Sequence, residues 1–241
     1  MTSLSSIDTA TVKQKPLAIM GGAFDPVHYG HVRTAAELRE VCDFGEVLFI
    51  PSANPPHRER HIAPADLRVR MLEAALAGVQ AADDGEEWCS IDHRELRRDG
   101  PSWTVLRLEE LRREAGSRSM CMMVGMDAFL SLGSWHRWEE LPGLAHIVVA
   151  HRPGWQPPQS GELGDFVQSH LTTDVGDLHE VSAGRLFIHE VTQLDISSSD
   201  IRRKIAAGHA ADDLLPPEVL RIAVESGCYA GPPTQEHHTY A

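Results

Sequence analysis

The sequence predicts an α/β fold: a doubly wound parallel sheet with helices on both faces. Short apolar runs of strand length alternate with stretches whose apolar residues recur at helical spacing. Strands alternating with helices imply right-handed crossovers and therefore a parallel sheet. Glycine-containing turns and polar motifs fall directly after the strands, on the edge where such sheets bind ligands. At 241 residues, 42% hydrophobic and 24% charged, the chain can form one well-cored domain of this kind, or two small ones.

Leu17-Ala18-Ile19-Met20 reads as the first buried strand. The turn Gly21-Gly22-Ala23-Phe24-Asp25-Pro26-Val27 follows, then a helix with Val32, Ala35, Leu38 and Cys42 on one side. Glu46–Pro51 is a second strand, stopped by its proline, and leads into the loop Ser52-Ala53-Asn54-Pro55-Pro56-His57-Arg58. Leu67, Met71 and Ala75 predict a helix over 66–76, and Asp83-Asp84-Gly85 turns into a strand near Trp88–Asp92. Ser102 stands where it would cap the next helix, whose apolar stripe is Val105, Leu108 and Leu111. Met120–Val124 and Ala145–Ala150 are further strands, ending at Gly125-Met126-Asp127 and His151-Arg152-Pro153-Gly154. Residues 155–177, rich in Pro, Gly and polar side chains, read as a surface excursion rather than a second domain. A last strand over Leu186–Glu190 precedes Leu194–Arg202, and a closing helix near Pro217–Ser226 turns Val219, Ile222 and Ala223 inward. Residues 1–15 read as a disordered leader, 16–230 as a single domain and 231–241 as a flexible tail.

A net charge of −13 speaks against broad binding to nucleic acid or to an anionic membrane, which wants a basic surface. It leaves room for a nucleotide, because a few local donors override a distant acidic surface. No apolar run approaches membrane-spanning length, and residues 1–15 lack the hydrophobic core of a signal peptide. Cys42, Cys89, Cys121 and Cys228 have no paired spacing and fall in expected core elements, so they read as reduced thiols of a cytoplasmic protein. Exposed aromatics could serve a homo-oligomer interface, although nothing in the sequence selects them over core positions.

The chemistry concentrates between Gly21 and His31. His28 and His31 open a helix directly after a glycine-rich turn, where backbone N–H groups and the helix dipole favour an anion. Three residues apart, the imidazoles share one face and can both donate to a phosphate. They could also be half of a zinc site, but no Cys-x-x-Cys or third ligand accompanies them. Ser197-x-x-Asp200 has capping-box spacing, as many helices do. Asn54–Arg58 reads most simply as a proline-stiffened loop, and Trp135 as an amphipathic core or interface residue.

The H-x-G-H element after G-G-x-F-D-P resembles the signature of a nucleotidyltransferase superfamily with a Rossmann-like fold. Its wording, F-D-P-V-H-Y-G-H, is most similar to the bacterial nicotinate-nucleotide adenylyltransferases. Ile196-Ser197-Ser198-Ser199 with Ile201-Arg202 resembles the second phosphate motif of that superfamily, with Ser199 in place of threonine. The Pro-Pro-His-Arg loop, Ser102-Trp103-Thr104, Gly125-x-Asp127 with Leu132-x-x-Trp135, and Arg152-Pro153-Gly154 resemble narrower motifs of the same family, in the same order.

The resemblance implies transfer of AMP from ATP, with Mg²⁺, to nicotinate mononucleotide, giving nicotinate adenine dinucleotide and pyrophosphate in NAD biosynthesis. It implies that His28 and His31 stabilise charge on the phosphates. Gly21, Gly22, Ala23, Phe24, Asp127, Ser197, Ser199 and Arg202 would hold ATP, Ala23 without the hydroxyl common at that position. Asn54, His57, Arg58, Trp103, Thr104, Trp135 and Arg152 would hold the acceptor, with Trp135 stacked on the pyridine ring. The alternatives are the same chemistry on nicotinamide mononucleotide or phosphopantetheine, and a nucleotide-binding module without catalysis.

Overall fold

A computed structural model describes residues 14–53, 63–83, 85–151, 156–192 and 194–230. In chain order it contains β1 (Leu17–Gly22), α1 (Tyr29–Val41), β2 (Glu46–Pro51), α2 (Ala65–Ala82), β3 (Cys89–Ile91), α3 (Thr104–Ala115), β4 (Met120–Gly125) and α4 (Met126–Leu130). There follow α5 (Leu141–Leu144), β5 (His146–His151), α6 (Gly161–His170), β6 (Leu171–Thr172), α7 (Asp177–Glu180), β7 (Leu186–Glu190), α8 (Ser198–Ala206) and α9 (Pro217–Glu225). Among the described residues the strands form one sheet in the order β3-β2-β1-β4-β5-β7-β6, and every pairing is parallel.

The two-residue period of a strand divides the core between the sheet's faces. Ala18, Met20, Val47, Phe49, Cys121, Met123 and Val148 pack with α1, α2 and α9 in one cluster. Leu17, Ile19, Met120, Met122, Ile147 and Val149 pack with α3 and α6 in the other. Near-continuous apolar strands are what burial on both faces requires. Because all strands run the same way, the loops after β1, β4, β5 and β7 emerge on a single edge.

Several elements differ from the sequence expectations. Ser102 does not cap α3: the helix begins at Thr104, and the Ser102 hydroxyl accepts the Ala53 N–H at 3.0 Å, fastening the end of β2. Residues 155–177 are not merely a surface excursion. They carry α6, which buries Phe166 and Val167 in the second core, and β6, the edge strand paired with β7. The polar composition hides a short apolar stripe at positions 163, 166 and 167. Helix α2 runs on to Ala82, well past its last buried residue, Leu76. Cys42, Cys89 and Cys121 are buried in the core, but Cys228 is exposed in the turn after α9, so that cysteine is not a core residue.

Candidate active site

The turn between β1 and α1 is shaped by side chains that leave no room for others. Phe24 takes a left-handed conformation, φ 49°, and its buried ring packs edge-on to His31 and against Phe49. Gly30 is required by His28, whose Nδ1 would lie 2.9 Å from a Cβ at position 30. His28 is the N-cap residue of α1, with extended backbone, and its N–H donates to His31 Nδ1 at 3.3 Å. An imidazole nitrogen that accepts carries no hydrogen, so in neutral His31 the proton sits on Nε2 as a donor. The two imidazole centroids are 3.8 Å apart, which makes the histidines one paired surface.

Asp25 braces this turn from behind. It is 1% exposed, and its Oδ1 accepts both the Ala63 N–H, at 3.1 Å, and the Tyr229 hydroxyl, at 2.6 Å. Burial and the neighbouring carboxylate push the Tyr229 hydroxyl well above its ordinary pKa, so it stays a donor. Arg68, buried in α2, donates to the Ala23 carbonyl at 2.7 Å and to Ala63 at 3.0 Å. The turn is thereby tied to the start of α2 and to the end of the described chain.

The Ile196–Arg202 segment arrives from β7. Ser197 is the N-cap of α8: its hydroxyl accepts the Asp200 N–H at 3.1 Å and donates to the Asp200 carboxylate at 2.8 Å. Ser198 donates to the Pro26 carbonyl at 3.0 Å, fastening this helix start to the β1–α1 turn. Glu37 on α1 receives the Thr192 N–H on both oxygens at 3.0 Å and holds the preceding loop.

These elements enclose a cleft of about 750 Å³, within the usual range for small-molecule sites. Its walls include Gly21, Gly22, Ala23, Phe24, His28 and His31 from the first motif, Ser197 and Ser199 from the second, and Asp127 and Trp135 from the loops after β4. Asp127 curls back so that its carboxylate would lie 2.6 Å from a Cβ at Gly125.

Other expected residues stand elsewhere. Arg202 is not in the cleft wall: it donates to the Asp25 carbonyl at 2.5 Å and to the Ser199 hydroxyl at 3.1 Å, with the Asp25 carboxylate 3.7 Å away. Trp103 lies against His136, ring centroids 4.7 Å apart, and Thr104 accepts from Arg107 at 3.2 Å. Asn54, His57, Arg58 and Arg152 lie outside the described residues. Thr34 and Thr192 also line the cleft. Thr34 had a sequence signal, one helical turn after His31 on the same face; Asp25 and Tyr229, paired across the chain, had none.

A cytidylyltransferase-like family model matches residues 19–204. A Methylococcus capsulatus protein named probable nicotinate-nucleotide adenylyltransferase is 43% identical over 214 residues, 89% of this chain and 99% of that protein. A Halorhodospira halophila protein of the same name is 39% identical, covering 90% of this chain and 97% of its own. Among solved structures, Plasmodium falciparum nicotinic acid mononucleotide adenylyltransferase complexed with NaAD superposes with a TM-score of 0.65 over 90% of this chain and 98% of its own. At 14% identity that likeness concerns the fold alone.

Proposed function

The chain belongs to the cytidylyltransferase-like family and, within it, to the nicotinate-nucleotide adenylyltransferases, and we propose that it transfers AMP from ATP to nicotinate mononucleotide. The observation that carries this reading is the single cleft in which the paired histidines, the α8 N-terminus, Asp127 and Trp135 face one another.

A phosphate oxygen of the acceptor attacks the α-phosphorus of ATP. The new P–O bond forms as the bond to the bridging oxygen breaks, and pyrophosphate leaves with that electron pair. The acceptor phosphate is already largely dianionic near pH 7, its second pKa being about 6, so no side-chain base is needed. Catalysis then rests on in-line positioning and on donors aimed at the charge that develops. His31 Nε2–H and His28 meet the phosphates at the α1 N-terminus, and Ser197 and Ser199 meet the outer phosphates at the α8 N-terminus. Arg202 joins them by exchanging its bond to the Asp25 carbonyl for phosphate oxygen. Trp135 offers its face to the pyridine ring, with Asn54, His57, Arg58 and Arg152 serving the acceptor.

Magnesium would ride on the triphosphate, because it prefers phosphate and water oxygens with one or two carboxylates. The cleft fits that mode: its wall offers the Asp127 carboxylate. When bound it would neutralise phosphate charge. Four unpaired cysteines suit a reducing, cytoplasmic setting. No helix among the described residues is long and apolar enough to cross a membrane.

The test is pyrophosphate release from ATP and Mg²⁺ with nicotinate mononucleotide, nicotinamide mononucleotide and phosphopantetheine in parallel. Preference for the nicotinate compound is expected. Preference for another acceptor would discard the reading of the pyridine pocket, and no release with any of them would leave a nucleotide-binding module.

A further inference from the structure

Tyr229 reaches the β1–α1 turn from the far end of the described chain. Gly227, at φ 63°, reverses the backbone after α9, and the Cys228 N–H donates to the Ser226 hydroxyl at 3.1 Å. The Tyr229 ring is carried into the first core, with its hydroxyl 2.6 Å from Asp25 Oδ1. A phenylalanine would fill the same core without a polar atom to satisfy. The hydroxyl therefore calls for a reason other than packing.

The carboxylate it meets is used unequally. Oδ1 accepts twice, from Tyr229 and from the Ala63 N–H, whereas the buried Oδ2 has no hydrogen-bond partner among the described residues. Arg202 Nη1 stands 3.7 Å away from the carboxylate, outside hydrogen-bond range. It donates instead to the Asp25 carbonyl at 2.5 Å, and Nη2 donates to the Ser199 hydroxyl at 3.1 Å. A carboxylate and a guanidinium this close would ordinarily close into a charge-assisted bridge. Here two donors on Oδ1 hold the carboxylate back.

The consequence lies in the bonds that Arg202 does make. Both go to neutral acceptors, which a phosphate oxygen displaces far more readily than it breaks a closed carboxylate bridge. The Arg202 side chain is 25% exposed, and its partner Ser199 lines the cleft beside Ser197 and Ser198. A continuous chain of contacts thus runs from Tyr229 through Asp25 and Arg202 to the cleft wall.

We propose that Tyr229 is a positioning residue: by holding the Asp25 carboxylate short of Arg202, it leaves that guanidinium available to the outer phosphates of ATP. This rests on the function proposed above, which puts those phosphates at the α8 N-terminus. Tyr229 touches no substrate in this role and acts through Asp25.

The experiment measures the affinities of ATP and AMP, each with Mg²⁺, by calorimetry on the full chain and its variants. AMP lacks the outer phosphates, so the ATP-to-AMP affinity ratio reads what Arg202 contributes. Tyr229→Phe removes one oxygen and keeps the ring. The carboxylate then closes on Arg202, and the ratio should fall about tenfold, the size of one charge-assisted hydrogen bond, with AMP affinity unchanged. Asp25→Asn keeps an oxygen for Tyr229 and Ala63 but removes the charge that competes for Arg202, so the ratio should rise. Tyr229→Phe combined with Asp25→Asn should regain at least the wild-type ratio, because no carboxylate remains to close.

A merely structural role would weaken ATP and AMP together in Tyr229→Phe and leave the ratio unmoved, which overturns the proposal. An unmoved or lower ratio in Asp25→Asn overturns it as well. If the chains carrying Asp25→Asn do not fold, Arg202→Gln supplies the second test. In that background Tyr229→Phe should change the ratio no further, and a second fall of the same size overturns the route through Arg202. A wild-type ratio near one overturns the proposal before any variant is made. Pyrophosphate release with unmoved variant ratios overturns this proposal alone. The expected ratio shifts without pyrophosphate release from any acceptor overturn the transfer reaction and leave Tyr229 its role toward ATP. A chain that neither binds ATP nor releases pyrophosphate overturns both.

Discussion

At the end of the cleft proposed for the phosphates, Asp25 alone gathers Ala63, Tyr229 and Arg202 around one turn, while Arg68 and Ser198 hold that turn's carbonyls. Toward the side proposed for the acceptor, Trp135 lines the cleft and packs on the core beneath it, Trp103 rests against His136 outside the cleft wall, and one hydroxyl, that of Ser102, pins the end of β2. The difference fits the work proposed for each end. Stabilising developing charge needs donors already fixed before the reaction, because reorganising them would cost what they give. Recognising a flat ring needs area, which aromatic faces supply with little directional bonding.

The strongest way to break this contrast is His31→Ala. If the paired imidazoles act on the transition state, turnover should fall roughly 100- to 1,000-fold, the size found for a lost oxyanion donor, and fall equally for every acceptor. Pyrophosphate release gives the answer, and near-normal turnover would remove His31 from catalysis. Asp25→Ala should show its effect in stability instead. It leaves a buried tyrosine hydroxyl and the Ala63 N–H without their acceptor, worth about 2–4 kcal/mol in urea denaturation. KM for ATP should rise as the turn loosens; unchanged stability would mean that Asp25 does not organise the phosphate end. Trp135→Ala should spare the ATP site. Loss of a stacking face costs about 1–3 kcal/mol, so KM for the acceptor should rise about tenfold or more while KM for ATP holds. Equal changes in both would dissolve the division between the ends.

The sequence carried these two ends unequally. Strands β2 and β7 were legible to the residue, since apolar runs bounded by turn signals leave little choice of boundary. The loops after β1, β4 and β7 were expected on one edge, and His28, Asp127, Trp135 and Ser197 do share one cleft. What binds the phosphate end together was not legible. Asp25 and Tyr229 lie 204 positions apart, and no periodicity links them. The destination of Arg202 was hidden for the same reason: a motif specifies a side chain type, whereas its partner depends on tertiary approach. Helix α6 was lost to composition, because three apolar residues in a ten-residue polar segment bury one narrow stripe. Arg107, on a helix face next to Leu108, reads as an ordinary amphipathic flank until Gly21 is seen to make room for it.

The smallest effect comes from the opposite edge of the sheet and serves as the control for both ends. His146, fully buried at the amino end of β5, accepts the Arg185 N–H on Nδ1 at 2.9 Å and so donates from Nε2 to the Val181 carbonyl at 3.0 Å. The neutral ring satisfies both neighbours, and a second proton would set a donor against a donor. Burial holds its pKa below 6.5, outweighing the carbonyl bond that raises it. The unfolded chain therefore binds a proton near pH 6.5 that the folded chain resists. Stability from this residue is complete above that pH and declines as pH falls through it. Unfolding followed from about pH 7.5 to about pH 5.5 should show the decline. His146→Gln keeps an acceptor and a donor but cannot titrate, so its stability should fall less over the same range, with both KM values unchanged. Identical pH slopes in the two proteins would assign the acid sensitivity to other groups. Altered KM values would mean that the far edge of the sheet is coupled to the cleft, and the two ends could no longer be treated as separate from the scaffold that carries them.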